Sequence, residues 1–152
     1  MVPSASIEVL SAGLLTTVQD LGRLGYGELG VSPGGAADSV ALRLANLLLG
    51  NDAGAPALEL TLSGPRLRFR GHTAIAVTGA DLAATIEGRL LPMNTPVTVE
   101  DFAELRFGGG RRGARAYVAV AGGFDVPLVL GSAATDLRGG FGGCRGRALR
   151  AG

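Results

Sequence analysis

The feature that most constrains the fold is a repeated alternation between short apolar runs and glycine or proline turns. The 152 residues include 26 glycines and 7 prolines. Turn signals recur about every ten residues, a rhythm typical of β-sandwiches and β-barrels. Within the runs apolar and polar residues alternate, as in RLRFR at 66–70, where Leu67 and Phe69 share one face. A period of two residues predicts strands with one buried face, so the chain is predicted to be mainly β.

One segment, about residues 36–49, has helical rather than strand periodicity. Its apolar side chains recur at the i, i+3, i+4 and i+7 spacing of one helix face. They are Ala37, Val40, Ala41, Leu44, Ala45 and Leu48. Asp38 is predicted in the first turn, where the helix dipole favours a carboxylate, and Gly50 with Asn51 supplies a left-handed stop. The predicted architecture is a β-barrel with one amphipathic helix.

Charge and hydropathy exclude some classes of partner. The formal net charge of +1 argues against a general nucleic-acid binder, which would carry a strongly basic face. No apolar run reaches the length of a membrane span, and the segment LRLANLLLG contains Arg43. The first residues lack the basic region and long apolar core of a signal peptide. We expect a cytoplasmic protein that binds neither nucleic acid nor membrane.

Residue types that are absent or rare exclude several kinds of chemistry from these 152 residues. No lysine is present, so a Walker A phosphate site, Schiff-base catalysis and a biotinyl-lysine are all excluded here. Cys144 and His72 each occur once, which leaves no intramolecular disulfide and no thiol or histidine metal cluster. His72 falls in a turn between two strands, where a solvated role is commoner than catalysis. No metal site is predicted.

Two short motifs have a structural and a functional interpretation. GGGRRG at 108–113 has the letters of a dinucleotide-binding fingerprint, but the residues that follow it, ARAYVAV, have strand character instead of opening a helix. A β-hairpin loop is predicted there. TGAD at 78–81 places Asp81 at the end of an apolar strand. A carboxylate in that position either caps an Asx-type turn or binds a ligand.

A polar, glycine-rich segment follows the second strand, beginning at Gln19. Its glycines let the backbone approach a ligand or a neighbouring strand, and Asp20, Arg23 and Tyr26 supply polar groups that could converge on a ligand. Asp20 and Arg23 lie three positions apart, close enough to pair. The junction between strand and helix also presents amide groups suited to a carboxylate.

Seven segments, in order along the chain, together resemble one family. They are TTVQDLGRLGY, GVSPGGAAD, ANLLLGN, ALELTLSGP, TGAD, RAYVAVAGGFDVPLVLGS and TDLRGGFGG. The same order is found in the allophanate hydrolase subunit 2 family, which includes the 5-oxoprolinase subunit designated C, the Kip-inhibitor antagonist and the carboxyltransferase part of urea carboxylase. The resemblance covers nearly the whole chain and implies a cyclophilin-like β-barrel.

The resemblance also implies a function in a complex. The main expectation is a subunit, or part of one, of an ATP-dependent 5-oxoprolinase that opens 5-oxoproline to glutamate. This chain would contribute a carboxylate-binding cleft, beside a Kip-inhibitor-like subunit 1 and a further subunit, and would bind no cofactor alone. Two alternatives are a biotin-dependent carboxyltransferase, with biotin carried on another protein, and a regulatory module that sequesters a kinase inhibitor.

Ten residues on the family motifs are candidates for substrate binding, while the catalytic residue is unknown. They are Gln19, Asp20, Arg23, Tyr26, Asp38, Asn46, Asp81, Arg115, Ser132 and Thr135. The chain departs from the family pattern at Ala133 and Ala134, where members commonly have Arg-Ser. The absent arginine would be a bidentate carboxylate binder, so an anion site in this loop is less expected.

The resemblance also suggests a division of the chain. Residues 1–130 are expected to form the barrel. Residues 131–152 are rich in glycine and arginine and lack periodicity. We expect this segment to be the start of a second half, with a disordered tail as the alternative.

Overall fold

The computed structural model describes residues 5–152, whose ten strands form two antiparallel five-stranded sheets. Sheet I contains, in spatial order, β1 (Ser6–Ser11), β4 (Arg66–Arg70), β9 (Glu104–Phe107), β6 (Ala84–Ile86) and β7 (Arg89–Leu90). Sheet II contains β2 (Leu15–Gln19), β3 (Ala57–Thr61), β10 (Arg112–Val120), β5 (Thr73–Asp81) and β8 (Val97–Val99). A short 3₁₀ helix, Gly27–Leu29, and the helix α1, Ser39–Leu48, lie between β2 and β3. The predicted mainly β fold with one amphipathic helix is confirmed.

The main core is formed by the inner faces of both sheets. In β4, Leu67 and Phe69 are fully buried, while Arg66 and Arg70 are exposed on the outer face. The alternation predicted for this strand is therefore confirmed. Full burial of one such side chain stabilises the folded state by about 1.5–3 kcal/mol. The alternation of apolar and polar residues therefore decides which face of the strand turns inward.

Strand β10 is buried on both faces because α1 packs on the outer side of sheet II. Ala116 and Val118 belong to the main core, whereas Tyr117 and Ala119 belong to a second apolar cluster with α1. A strand covered on both faces carries a nearly continuous apolar run rather than a strict alternation. This explains the sequence AYVAV, in which apolar residues follow one another.

The helix starts later than predicted. It spans Ser39–Leu48 rather than about 36–49, and Asp38 is its N-cap rather than a first-turn residue. The Asp38 Oδ1 atom accepts a hydrogen bond from the Ala41 N–H at 2.9 Å. Gly50 has a φ of 71°, as expected for a left-handed stop.

The buried face of α1 is rotated relative to the predicted stripe. Ala41 and Ala45 are buried as expected, but Val40 is 74% and Leu44 is 40% exposed. Leu42 is buried instead. Leu42 therefore packs with Ala41 and Ala45 against sheet II, whereas Val40 and Leu44 are turned outward.

Residues 108–111 of the GGGRRG segment form a loop between the sheets. The predicted strand begins within the segment, since β10 starts at Arg112. The predicted hairpin is wrong, since β9 pairs in sheet I and β10 pairs in sheet II. The N–H groups of Gly108 and Gly109 donate to the Leu82 carbonyl at 3.1 and 3.3 Å, which ties the loop to the end of β5.

Residues 131–152 pack against the sheets although they form only isolated bridges. Ala133 and Ala134 are fully buried. Near the end of the chain, the Leu149 N–H donates to the Thr16 carbonyl of β2 at 2.8 Å, and the Gly152 N–H donates to the Val9 carbonyl of β1 at 3.0 Å. The segment thereby connects the edge strands of the two sheets. The division of the chain at residue 130 stays a prediction.

Among residues 5–152, no helix combines the length and the apolar character that crossing a membrane requires.

Candidate functional site

A cleft of about 700 Å³ opens beside the start of α1. We call it the helix-start cleft. Its walls come from the ends of β5 and β10, the turn before β8 and the residues that precede α1. Its polar lining residues are Asp38, Asp81, Asn94, Arg112 and Arg115. Three of the predicted candidates, Asp38, Asp81 and Arg115, are therefore brought together at one place.

A partly buried hydrogen-bond network holds the residues at the start of α1, which form one rim of the cleft. The Tyr117 hydroxyl donates to Glu59 Oε2 at 2.7 Å and accepts from the Asp38 N–H at 2.8 Å. Glu59 Oε2 also accepts from the Ala37 N–H at 2.8 Å. Burial, with a further contribution from the Glu59 hydrogen bond, raises the pKa of Tyr117 above its usual value. The phenol consequently stays protonated and keeps donating to Glu59.

This network changes the expectation for the amides at the helix start. The N–H groups of Ala37, Asp38 and Ala41 already donate to side chains of the protein. Their partners are two carboxylates and a phenol, so these three amides are already used. That other amides of the junction bind a substrate carboxylate stays a prediction.

Two arginines of β10 line the cleft because the strand leaves its regular pairing with β5. The register shifts between Arg112 and Ala116, and Gly113 within the shift has a φ of 83°. Opposite it, a Cβ on Gly79 would lie 2.6 Å from the Arg115 carbonyl oxygen. Glycine at 79 thus permits the close backbone approach that places the arginines at the cleft.

The cleft contains side chains of both charges, two aspartates and two arginines. Asp38 caps the helix, and Asp81 Oδ1 accepts from the Ala83 N–H at 2.9 Å in the predicted Asx turn. Arg115 donates from Nη1 to Thr61 Oγ1 at 2.8 Å, with its Nε 3.7 Å from Glu59 Oε1. Within residues 5–152, exposed Arg112 forms no ion pair or side-chain hydrogen bond. Its guanidinium is available to an anion.

Five other candidates form a buried group that we call the Asp20 cluster. It consists of Gln19, Asp20, Arg23, Ser132 and Thr135. The Asp20 carboxylate accepts three hydrogen bonds, from the Gly22 N–H at 2.7 Å, the Ser132 hydroxyl at 2.7 Å and the Ala133 N–H at 2.6 Å. These bonds attach the segment after β2 to a loop more than a hundred positions away.

Two further members of the cluster make the same connection. Gln19 donates from Nε2 to the Thr135 carbonyl at 3.3 Å. Thr135 donates from both its N–H and its hydroxyl to the Val18 carbonyl, each at 2.9 Å. Loop and strand are thereby joined along several consecutive residues.

Arg23 is 2% exposed and forms no ion pair with Asp20 within residues 5–152, although their spacing in the sequence would allow one. Its Nη2 donates to the Ala134 carbonyl, and its Nε donates to the Val129 carbonyl at 3.3 Å. The guanidinium also lies 4.8 Å from the centre of the Phe141 ring, a cation–π arrangement. Arg23 and Asp20 thus hold the same loop by separate contacts.

Gly22, the first glycine after β2, allows close contact between two chain segments. Gly22 has a φ of 87°, and a Cβ there would lie 2.5 Å from the Pro33 carbonyl oxygen. That oxygen accepts from the Arg23 N–H at 2.7 Å, and the Asp20 carbonyl accepts from the Ala36 N–H at 2.9 Å. The sequence predicted that glycine here allows approach either to a ligand or to a neighbouring strand. At Gly22 the structure shows a close approach to a neighbouring chain segment.

The last two candidates lie outside both groups. Tyr26 is the N-cap of the 3₁₀ helix and is partly exposed. Asn46 is buried on α1, where it donates to the Ala55 carbonyl at 2.8 Å and accepts from the Asn51 side chain at 3.1 Å. Binding of substrate by any of the ten candidates stays a prediction.

Two polar residues of the cleft, Asn94 and Arg112, are not among the residues that the sequence motifs single out. Arg112 stands in a run interpreted as a loop, and Asn94 stands in PMNTP, which indicates only a turn. No local signal distinguishes them, because only the neighbouring positions of β5, β8 and β10 bring them together. No group of three or more His, Cys, Asp or Glu side chains within residues 5–152 is arranged to hold a metal ion.

Comparison with known proteins identifies the family. Residues 29–152 match the model of the family described as carboxyltransferase domain, subdomain A and B. The chain belongs to this carboxyltransferase domain family. The expected family resemblance is confirmed, since a 5-oxoprolinase subunit and urea-processing proteins are both among the relatives of this carboxyltransferase domain.

Three relatives show how much of each protein the domain spans. Urea amidolyase of Saccharomyces cerevisiae is 43% identical over 148 residues, which are 97% of this chain and 8% of that protein. The 5-oxoprolinase subunit designated C of Escherichia coli is 44% identical over 146 residues, 96% of this chain and 47% of that protein. The crystal structure of Kluyveromyces lactis urea carboxylase superimposes with a TM-score of 0.93 at 44% identity, covering 99% of this chain and 13% of that one. The chain thus spans about half or less of these relatives.

Proposed function

We propose that this carboxyltransferase domain belongs to a cytoplasmic, ATP-dependent 5-oxoprolinase-type amide hydrolase. It supplies a carboxylate-binding cleft and works with a subunit 1 partner and a further subunit. The observation that carries the proposal is the similarity to the Escherichia coli 5-oxoprolinase subunit over almost the whole chain. That relative is named as one subunit of an enzyme, which supports action in a complex.

The helix-start cleft supports this function by its charge. The substrate 5-oxoproline carries one carboxylate, and Arg112 offers a guanidinium with no partner among the described residues. Arginine binds a carboxylate through two parallel N–H donors. Asp38 and Asp81 also line the cleft, but neither forms an ion pair with Arg112 within residues 5–152. ATP chemistry is assigned to the partner subunits, because these residues contain no lysine-based phosphate loop.

A second candidate is the carboxyltransferase role itself. It is favoured by the family description and by the close superposition on urea carboxylase. A biotinyl-lysine would have to lie outside these 152 residues, since they contain no lysine. Biotin would then reach the domain on another protein or another part of a longer chain.

The deciding experiment reconstitutes the full-length protein that contains this domain with subunit 1 and the remaining subunit. We expect ATP hydrolysis that depends on 5-oxoproline and appears only in the complete mixture. Carboxyl transfer from biotin, without 5-oxoproline-dependent ATP hydrolysis, would instead establish the second candidate. A stable complex with neither activity would contradict both and leave a binding module.

A matched pair of variants tests the cleft within that assay. Arg112→Ala is expected to raise the KM for 5-oxoproline at least about tenfold, because a charge-assisted hydrogen bond is lost. Arg111→Ala is the control, since Arg111 is the adjacent exposed arginine but does not line the cleft. An equal effect of both variants would show that general charge, and not the cleft, matters.

A further inference from the structure

We infer that Asn94 is a specificity-determining residue of the helix-start cleft and that it recognises a cyclic amide. The inference rests on the proposed function and names the part of the substrate that the arginine does not bind. The ligand class is a small lactam that carries a carboxylate. Arg112 takes the carboxylate and the Asn94 carboxamide takes the ring amide.

The backbone of Asn94 is fixed, while its side chain is uncommitted. Asn94 precedes β8, and its N–H donates to the Val77 carbonyl of β5 at 2.9 Å. Its φ of 55° is left-handed, a conformation that asparagine tolerates better than most residues. The residue is exposed, lines the cleft, and makes no side-chain hydrogen bond to any residue between 5 and 152. A carboxamide with both its donor and its acceptor available therefore faces solvent from a rigid support.

The wall beside Asn94 is apolar. Met93 lines the same cleft and packs on the main core, and the small residues Ala37 and Ala80 also line it. Such a surface suits the methylene groups of a small ring. The cleft therefore offers a cation, an amide and an apolar wall, which are the three features that a carboxylated lactam requires.

The geometry of amides explains why this set selects a ring. A carboxamide presents one N–H donor and one C=O acceptor side by side. A lactam presents the complementary pair along one edge because the ring holds its amide cis, so two hydrogen bonds form at once. An ordinary peptide bond is trans and directs its N–H and C=O to opposite sides. Asn94 therefore favours a cyclic amide over a linear peptide.

The competing explanation is that asparagine stands here only because the turn needs a left-handed residue. Asn94→Gly separates the two explanations, because glycine adopts the same φ without strain and lacks the carboxamide. Asn94→Asp is a second variant that keeps the side-chain shape but removes the N–H donor. Both variants are made in the full-length protein, and their melting temperatures are compared with that of the wild type.

The measurement uses the reconstituted complex with two ligands. One is 5-oxoproline as substrate, and the other is cyclopentanecarboxylate as competitive inhibitor, which has the ring and the carboxylate but no amide. Asn94→Gly is expected to raise the KM for 5-oxoproline about tenfold, the effect of losing two neutral hydrogen bonds. The inhibition constant of cyclopentanecarboxylate should stay within about twofold, because it never formed those bonds. Asn94→Asp should also raise the KM for 5-oxoproline, whereas Arg112→Ala should weaken the binding of both ligands.

Three results would overturn the inference. An unchanged KM in both Asn94 variants would show that the amide is recognised elsewhere. If Asn94→Gly weakened the binding of both ligands equally, Asn94 would only shape the cleft. A wild-type complex with no 5-oxoproline-dependent ATP hydrolysis would overturn the proposed function together with this inference, whereas an active wild type with unaffected variants overturns this inference alone.

Discussion

Removal of the Asp20 carboxylate should destabilise the protein because of what that carboxylate holds. Asp20 is 8% exposed, and its two oxygens accept from Gly22, Ser132 and Ala133 at 2.6 to 2.7 Å. Asp20→Ala leaves two backbone N–H groups and one hydroxyl without this acceptor. The contact between the segment after β2 and the loop at 132–135 would be weakened, because only the bonds from Gln19, Arg23 and Thr135 would remain.

The expected magnitude follows from those three donors. A buried donor left without a partner costs about 1–3 kcal/mol. Water can reach part of the site once the side chain is shortened, so we expect a total of about 3–5 kcal/mol rather than the full sum. Domains of this size are stable by about 5–15 kcal/mol, so this is a large fraction. The melting temperature should fall by about 10 °C, at roughly 2–4 °C for each kcal/mol.

Urea unfolding of the full-length protein measures the change directly, and limited trypsin digestion locates it. Arg138 is exposed and lies just beyond the loop that Asp20 holds, so cleavage there should become faster. Asp52→Ala is the control, because Asp52 is exposed and a surface substitution usually changes stability by less than about 0.5 kcal/mol. If Asp20→Ala is as stable as that control and only the KM changes, Asp20 contacts substrate and the structural explanation fails.

Two further predictions concern other polar contacts. Tyr117→Phe removes the hydroxyl that joins Glu59 to Asp38 and should lower the free energy of unfolding by about 1–3 kcal/mol; an unchanged thermal midpoint would contradict this. Hydrogen bonds from Arg106, and then from Arg68 and Arg66, lower the pKa of Glu104 from 4.5 to about 2. A lowered carboxyl pKa stabilises the fold above about pH 4.5, and that stabilisation is lost as the pH falls towards 2. Glu104→Gln should therefore be less stable than wild type at pH 7, with the difference shrinking between pH 4.5 and 2 in urea unfolding curves; a difference independent of pH would refute this assignment.

The family and the mainly β fold follow from the sequence, because the signals behind them are local. Alternation in RLRFR predicts which residues of β4 are buried, since successive side chains of a strand point to opposite faces. The stop at Gly50 and the Asx turn at Asp81 depend only on residues a few positions away. The motifs that mark the family are likewise contiguous, so they can be recognised without knowing where they lie in space.

The tertiary structure alone decided which motif residues lie together and which way they face. Asp20 and Ser132 are 112 positions apart, and whether such residues meet depends on which strands become neighbours. The rotation of α1 depends on the surface of sheet II, so spacing along the helix did not predict that Val40 is exposed. Asn94 and Arg112 share a cleft because β10 leaves its regular pairing with β5. Long-range pairing of this kind is a property of the whole chain, and no short stretch of residues encodes it.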